Sequence, residues 1–274
     1  MAVTVVSGPH QMKASAGDVV LAPLGDGTGP LPLRSDWPMH EEPADVAIGA
    51  VRGREIHFSP RTLIFLEGDL VDWVYQIADG VIILYKLLPD GRRQVVELLG
   101  PGDVFGFSPI SIHNCSAETL TDARCMGFDR GAIERSPALM RRLSSCLYVQ
   151  ISLLHEHAML LGRKSALERM TSFLMRLVPD RGGFNCPGPP DAADHAHVRL
   201  AMSRQEIADY LGLTIETVSR TLTKLKRCGI VAISKLDEIS VHDVCRLCRL
   251  TGTHFTRGRW CGSREKPLIK DPWS

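Results

Sequence analysis

The chain has 274 residues, long enough for two domains that each bury a core, and its 44% apolar and 23% charged residues are ordinary globular proportions. A formal net charge of +1 neither supports nor excludes a nucleic-acid partner. The longest apolar runs, such as Val81–Tyr85, fall far short of the about 20 residues that a membrane span needs, so no membrane segment is expected. Met1–Ser7 is apolar but short and has no basic flank ahead of it, so no secretory signal is expected either. The protein is therefore expected in the cytoplasm, with its eight cysteines as reduced thiols.

Residues 1–50 are rich in Gly and Pro, carry a small acidic cluster (Asp36, Glu41, Glu42, Asp45), and read as a poorly ordered arm. Within residues 51–131 the pattern changes to short apolar runs: Thr62–Leu66, Trp73–Ile77, Val81–Leu88, Gln94–Leu99 and Val104–Phe107. They are broken by Glu67-Gly68-Asp69, Asp79-Gly80, Pro89-Asp90-Gly91 and Gly100-Pro101-Gly102-Asp103. Short strands closed by Gly, Pro or Asp at such spacing predict an antiparallel barrel or sandwich, with Pro89-Asp90-Gly91 as a hairpin turn.

Residues 132–178 read as helical. Met140, Leu147, Leu154 and Leu161 fall seven apart, and Ile151 and Ala158 fill the other seam position. A stripe that narrow suits a helix pairing with its twin, which makes Leu147, Ile151, Leu154, Ala158 and Leu161 the candidate dimerisation residues. The alternative is that the stripe packs on its own barrel. After a break at Gly162, Ser165–Leu177 predicts a second amphipathic helix, and Asp180–Asp194 is a Gly- and Pro-rich loop.

Residues 195–243 carry the densest signals. Ser203 and Glu206, three apart, form a capping box that opens a helix running through Tyr210. Leu211-Gly212-Leu213 is a tight turn, and Thr214 caps a second helix reaching about Arg227, an arrangement that reads as a helix-turn-helix. On the second helix Glu216, Ser219 and Arg220 share a face opposite Val218 and Leu222. Arg bonds guanine bidentately, Glu accepts from cytosine, and Ser serves either, so the trio suits base reading in a major groove. An exposed Glu216–Arg220 ion pair is the competing explanation of the same spacing. Ile230–Ser234 and Ile239–His242 read as a β-wing around Lys235-Leu236-Asp237-Glu238. The candidate DNA-binding residues are Ser203, Arg204, Gln205, Thr214, Glu216, Thr217, Ser219, Arg220, Lys224 and Lys235. From Arg199 to Cys228 there are six basic residues against three acidic, and residues 244–274, with seven against two, read as a basic tail.

The run Met202-Ser203-Arg204-Gln205-Glu206-Ile207-Ala208-Asp209-Tyr210-Leu211-Gly212-Leu213-Thr214-Ile215-Glu216-Thr217-Val218-Ser219-Arg220 closely resembles the DNA-binding segment of the CRP/FNR family, with the Glu-x-x-Ser-Arg signature of its FNR and FixK branches. Tyr85–Gln94 and Gly102–Gly106 look like the FixK β-roll, and Leu161–Arg169 like the end of its dimerisation region. The resemblance covers about Arg54 to Asp243. It implies an α+β fold: an N-terminal β-roll (a jelly roll like that of cyclic-nucleotide-binding domains), a long dimerisation helix and a C-terminal winged helix-turn-helix. It also implies a homodimer on palindromic TTGA-type sites that contacts RNA polymerase as an activator, in the low-oxygen and nitrogen-fixation response.

Three departures qualify it. No cysteine precedes Cys115, so an FNR-type iron–sulfur cluster lacks its ligands. Phe107-Ser108-Pro109 and Cys115-Ser116 stand where cyclic-nucleotide members carry Glu and an Arg-Ser pair, so no cyclic AMP and no cofactor is expected. Cys245-x-x-Cys248, followed by His254 and Cys261, lacks paired spacing in its second half and is read as thiols, with no metal. Cys115, Cys125 and Cys146 are read as small core residues, and His155 and His157 as a surface helix face. The alternative is a regulator of the same family gated by a small ligand or by haem, with His113 or a neighbour as the haem ligand, acting as a repressor in nitrogen-oxide or other metabolism. An enzyme is not expected, because the sequence holds no nucleophile–base pair, phosphate loop or metal-ligand helix.

Overall fold

The computed structural model describes residues 53–178, 181, 194–235 and 238–252. The N-terminal arm, the Gly/Pro-rich segment through 193 (Arg181 excepted), the tip of the wing and the tail beyond 252 lie outside the described residues.

Eight strands form two antiparallel four-stranded sheets: β1 (Arg54–Phe58), β2 (Leu63–Phe65), β3 (Trp73–Asp79), β4 (Ile82–Leu87), β5 (Arg93–Leu99), β6 (Val104–Phe105), β7 (Ser116–Thr119) and β8 (Ala123–Asp129). The strand orders are β1-β8-β3-β6 and β2-β7-β4-β5. The expected hairpin joins β4 to β5: the Gly91 amide donates to Leu88 O, and the Leu88 amide to Arg92 O. Strands alternate sides, and both sides of both sheets are used. Ile56, Phe65, Tyr75, Ile77, Ile82, Leu84, Leu99, Phe105 and Cys125 point between the sheets. There Tyr75 stacks on Phe105 with ring centres 4.9 Å apart, and Phe65 lies flat on His113 at 3.5 Å.

The intervening residues face outward and seat the rest of the chain. Val74, Val104, Met126 and Phe128 pack against α1 (Arg130–Arg135) and α2 (Pro137–Arg163). Ile83, Tyr85, Val95 and Leu98 join the core of the C-terminal half. That half contains α3 (Ala166–Arg176), β9 (Ala196–Arg199), α4 (Arg204–Leu211), α5 (Ile215–Arg227), β10 (Val231–Lys235), β11 (Glu238–Val241) and α6 (Val244–Arg249). The wing is three-stranded, in the order β10-β11-β9. No described helix is long and apolar enough to cross a membrane.

Helix α2 starts at a Ser136 cap with Pro137 in its first turn and runs 27 residues, about 40 Å at 1.5 Å per residue. It passes through Gly162, so the break expected there falls at Lys164, which is extended. Two apolar faces run along it. Leu139, Leu143, Cys146, Gln150, His157 and Leu160 are buried against this chain's own domains. About a third of a turn away Met140 and Ile151 are exposed, and about half a turn away Tyr148 and Met159. The short start of the expected basic tail is helix α6, whose Val244 and Leu247 are buried in the C-terminal core.

His157 is a correction to the surface reading. Only 8% of it is exposed, its ring stacks on Tyr210 at 4.3 Å, and neither ring nitrogen has a hydrogen-bond partner among the described residues. Burial, with the Arg176 cation nearby, pushes its pKa down to about 4. Its folded value thus lies below its ordinary one near 6.5, so stability is complete above the ordinary value and is lost as pH falls through the window from 6.5 to about 4. His157→Phe keeps the stack and removes the unpaired nitrogens. It is expected to stabilise by about 1–3 kcal/mol and to flatten the loss in that window. Urea unfolding at pH 7 and pH 5 checks this, and a lower midpoint at pH 7 would contradict it.

Candidate nucleic-acid interface

Local chemistry builds the two helices as expected. The Ser203 hydroxyl accepts from the Glu206 amide, and the Ser203 amide donates to Glu206 Oε2 at 2.7 Å, completing the capping box. Gly212 ends α4 in the left-handed region, with φ of 60°, a conformation that an L side chain adopts only under strain. The Thr214 hydroxyl then accepts from the Thr217 amide and opens α5. Val218, Leu222 and Leu225 are buried on the inner face of α5, and Thr221 beside them.

On the outer face Glu216, Ser219, Arg220 and Lys224 are all exposed. Arg220 turns its Nη2 to Thr217 Oγ1 at 3.4 Å rather than to Glu216. Among the described residues no ion pair joins Glu216 to Arg220, so both heads of the trio stay available. A hydrogen bond from the Thr214 side chain is the main cause holding the Glu216 carboxyl below its ordinary range, and Arg220 adds to it, so the carboxylate is charged at neutral pH. Lys224, Lys226 and Arg227 give the last turn a cationic end.

The other sequence candidates divide. Ser203 and Gln205 are exposed at the start of α4, and Gln205 donates to Asp209 at 2.7 Å. Thr217 is half-buried. Arg204 is half-buried too, and its Nη1 is buried with no hydrogen-bond partner among the described residues, which places part of its head away from any groove. Lys235 closes β10 opposite Glu238, and its side chain lies outside the described residues. Of the dimerisation candidates, Ile151 and Ala158 are exposed, while Leu147, Leu154 and Leu161 are half-buried. Leu161 also packs against the C-terminal core.

A second set of residues, which sequence reasoning missed, holds the helix-turn-helix on the β-roll. Arg93, on the hairpin strand β5, donates from Nε to Asp209 at 2.9 Å and lies 3.5 Å from Glu118. Arg61 pairs with Glu206, and Gln94 donates to the Tyr210 carbonyl at 3.4 Å. Burial works to raise the Glu206 carboxyl, but hydrogen bonds from Arg61 and Ser203 outweigh it and leave it below the ordinary range. The partners in the Arg61–Glu206, Arg93–Asp209 and Gln94–Tyr210 contacts lie more than a hundred positions apart in the chain, so no local spacing announces them.

Burial pushes the Cys115 thiol up to about 11 and the Cys125 thiol up to about 12, so both stay protonated as small core residues. His113, the haem-ligand candidate, is 5% exposed.

Comparison with known proteins agrees with both halves. The model of the cyclic nucleotide-binding domain matches residues 55–136, and that of bacterial regulatory proteins of the crp family matches residues 200–231. The nitrogen fixation regulation protein FixK of Bradyrhizobium diazoefficiens is 43% identical over 189 residues, covering 66% of this chain and 75% of that protein. The protein of the same name from Rhizobium meliloti is 40% identical over 185 residues, covering 67% and 81%. The solved structure of FixK2 from Bradyrhizobium japonicum superposes with a TM-score of 0.64 at 32% identity, over 74% of this chain and 98% of that one. With a β-roll, a long helix and a winged helix-turn-helix, the chain belongs to the CRP/FNR family of bacterial transcription regulators.

Proposed function

We propose that the chain is a homodimeric transcription activator that reads palindromic TTGA-type promoter sites through α5 and works with RNA polymerase in the low-oxygen and nitrogen-fixation response. The observation that carries the reading is the exposed row Glu216, Ser219, Arg220 on a helix whose opposite face is locked by Val218, Leu222 and Leu225. The relatives support the biological setting: two are named nitrogen fixation regulation proteins, and one from Rhodopseudomonas palustris a transcriptional activatory protein. The exposed apolar face of α2 supports the dimer. The aromatic filling between the roll's sheets supports action without a cyclic nucleotide. Activity in the cytoplasm, and regulation without catalysis, follow from the same reading.

Transcription from a promoter carrying a TTGA palindrome, reconstituted with purified RNA polymerase, tests it. Added protein should raise transcript yield, and scrambling both half-sites should abolish the rise. A fall in yield on the intact site would replace activation with repression.

A further inference from the structure

We propose that Arg169 is the positioning residue that sets the spacing between the two recognition helices of the dimer, by bolting the turn of the helix-turn-helix to the end of α2. The proposal rests on the dimeric reading above. The last four carbonyls of any helix lack partners within it. Two such ends meet here: α2 stops at Arg163 with Lys164 extended, and α4 stops at Leu211 with Gly212 left-handed. Arg169, in the first turns of α3, stands between them. Its Nε donates to Lys164 O at 2.9 Å and its Nη2 to Leu161 O at 2.7 Å. Its Nη1 donates to Leu211 O at 2.9 Å and to Gly212 O at 3.2 Å.

One side chain thus serves four main-chain carbonyls on two helices and places a cation at the negative end of both dipoles. The task needs a flat fork with donors on different edges. A lysine ammonium, a single point on a flexible stem, cannot reach both ends together. The joint is also tight. A Cβ added at Gly212 would stand 3.3 Å from Leu161 Cδ2 and 3.4 Å from Arg169 Nη1.

Helix α5 starts at Ile215, three positions after Gly212, so fixing this turn relative to α2 fixes where the recognition helix begins. If two α2 helices pair, the same joint acts twice and determines whether both α5 helices reach grooves about one helical turn, roughly 34 Å, apart. Four of the five guanidinium N–H groups donate to carbonyls, which aims the head at the two helix ends rather than at a phosphate.

The test uses full-length R169Q and R169K. Affinity is measured for the palindrome, for palindromes lengthened or shortened by one base pair, and for a single half-site, at several salt concentrations. R169Q should bind the palindrome about tenfold more weakly while the altered spacings change little, so that the spacing preference collapses. Its salt slope should match the wild type, since no phosphate contact is lost. R169K keeps a cation at the helix ends, which protects folding, and should lose the preference as well. An equal loss on every duplex, single half-site included, would mark a merely structural role and overturn the proposal. So would an unchanged preference in R169Q, or its restoration by lysine. A wild-type chain without any spacing preference would instead overturn the dimeric reading, and the role of Arg169 with it.

Discussion

Arg220→Ala is expected to remove discrimination at one G·C pair in each half-site while leaving the fold and the remaining base preferences intact. The side chain is exposed on α5, packs in no core, and donates only a long hydrogen bond to Thr217. Its loss therefore leaves no cavity and no buried orphan. A bidentate contact to guanine O6 and N7 discriminates by about 1–3 kcal/mol, which is roughly 5-fold to 150-fold between the right and the wrong base. Competition binding against duplexes varied at that position reads it directly, and melting of the free protein should be unchanged. Unaltered discrimination would remove Arg220 from the reading face. Equal weakening on all sequences, with a shallower salt slope, would reassign it to a phosphate.

Ile151→Glu should separate the protomers without unfolding them. Ile151 is 45% exposed on the single chain, in the middle of α2, so a carboxylate there meets water in the monomer. In a paired helix it would sit at the seam, where burying an uncompensated charge costs several kcal/mol. A penalty of about 3 kcal/mol raises the dimer dissociation constant by more than a hundredfold. Sedimentation equilibrium of wild type and variant decides it. The wild type should run as a dimer and I151E as a folded monomer. If I151E stayed dimeric with unchanged affinity, the seam would lie on another face of the molecule.

The parts of this molecule that declare themselves in sequence are those fixed by neighbours in the chain. Turn residues such as Pro89-Asp90-Gly91, and the Ser203/Glu206 and Thr214 caps, act within a few residues, and the elements they bound start and end within a residue or two of expectation. The exposed row of α5 is legible for the same reason: helical periodicity alone separates Glu216, Ser219 and Arg220 from Val218 and Leu222. What escaped depends on distant partners. Strand β9, Ala-His-Val-Arg, carries little strand signal of its own and exists because β11 pairs with it. The expected single stripe on α2 obscured a second one, in which Leu139, Leu143, Cys146, Gln150, His157 and Leu160 recur at the same kind of spacing. That pattern was the available clue that His157 faces inward. Periodicity shows that a helix has an apolar face, but not which neighbour covers it. The Arg61, Arg93 and Arg169 contacts could not be read in advance, because a guanidinium finds its carbonyl or carboxylate only once two domains are docked.

Docking has a consequence for how the interface works. Helix α4 is held by the β-roll hairpin through Arg93 and Asp209, and its end by α3 through Arg169, so the frame behind α5 is tied to two neighbouring elements while the outer row of α5 stays exposed. Base contacts are effective when the side chains that make them are carried on elements already fixed in place, since little ordering remains to be done on binding.

Selection from a pool of random duplexes by the full-length protein, followed by sequencing of the bound fraction, asks whether this surface reads DNA as a symmetric pair. The enriched sequences should converge on an inverted repeat with a G·C pair at matching places in both halves, and that convergence should weaken at those two places alone when Arg220 is Ala. Recovery of an unenriched pool, or of one motif without its inverted copy, would contradict the idea that two exposed α5 faces enter neighbouring major grooves together.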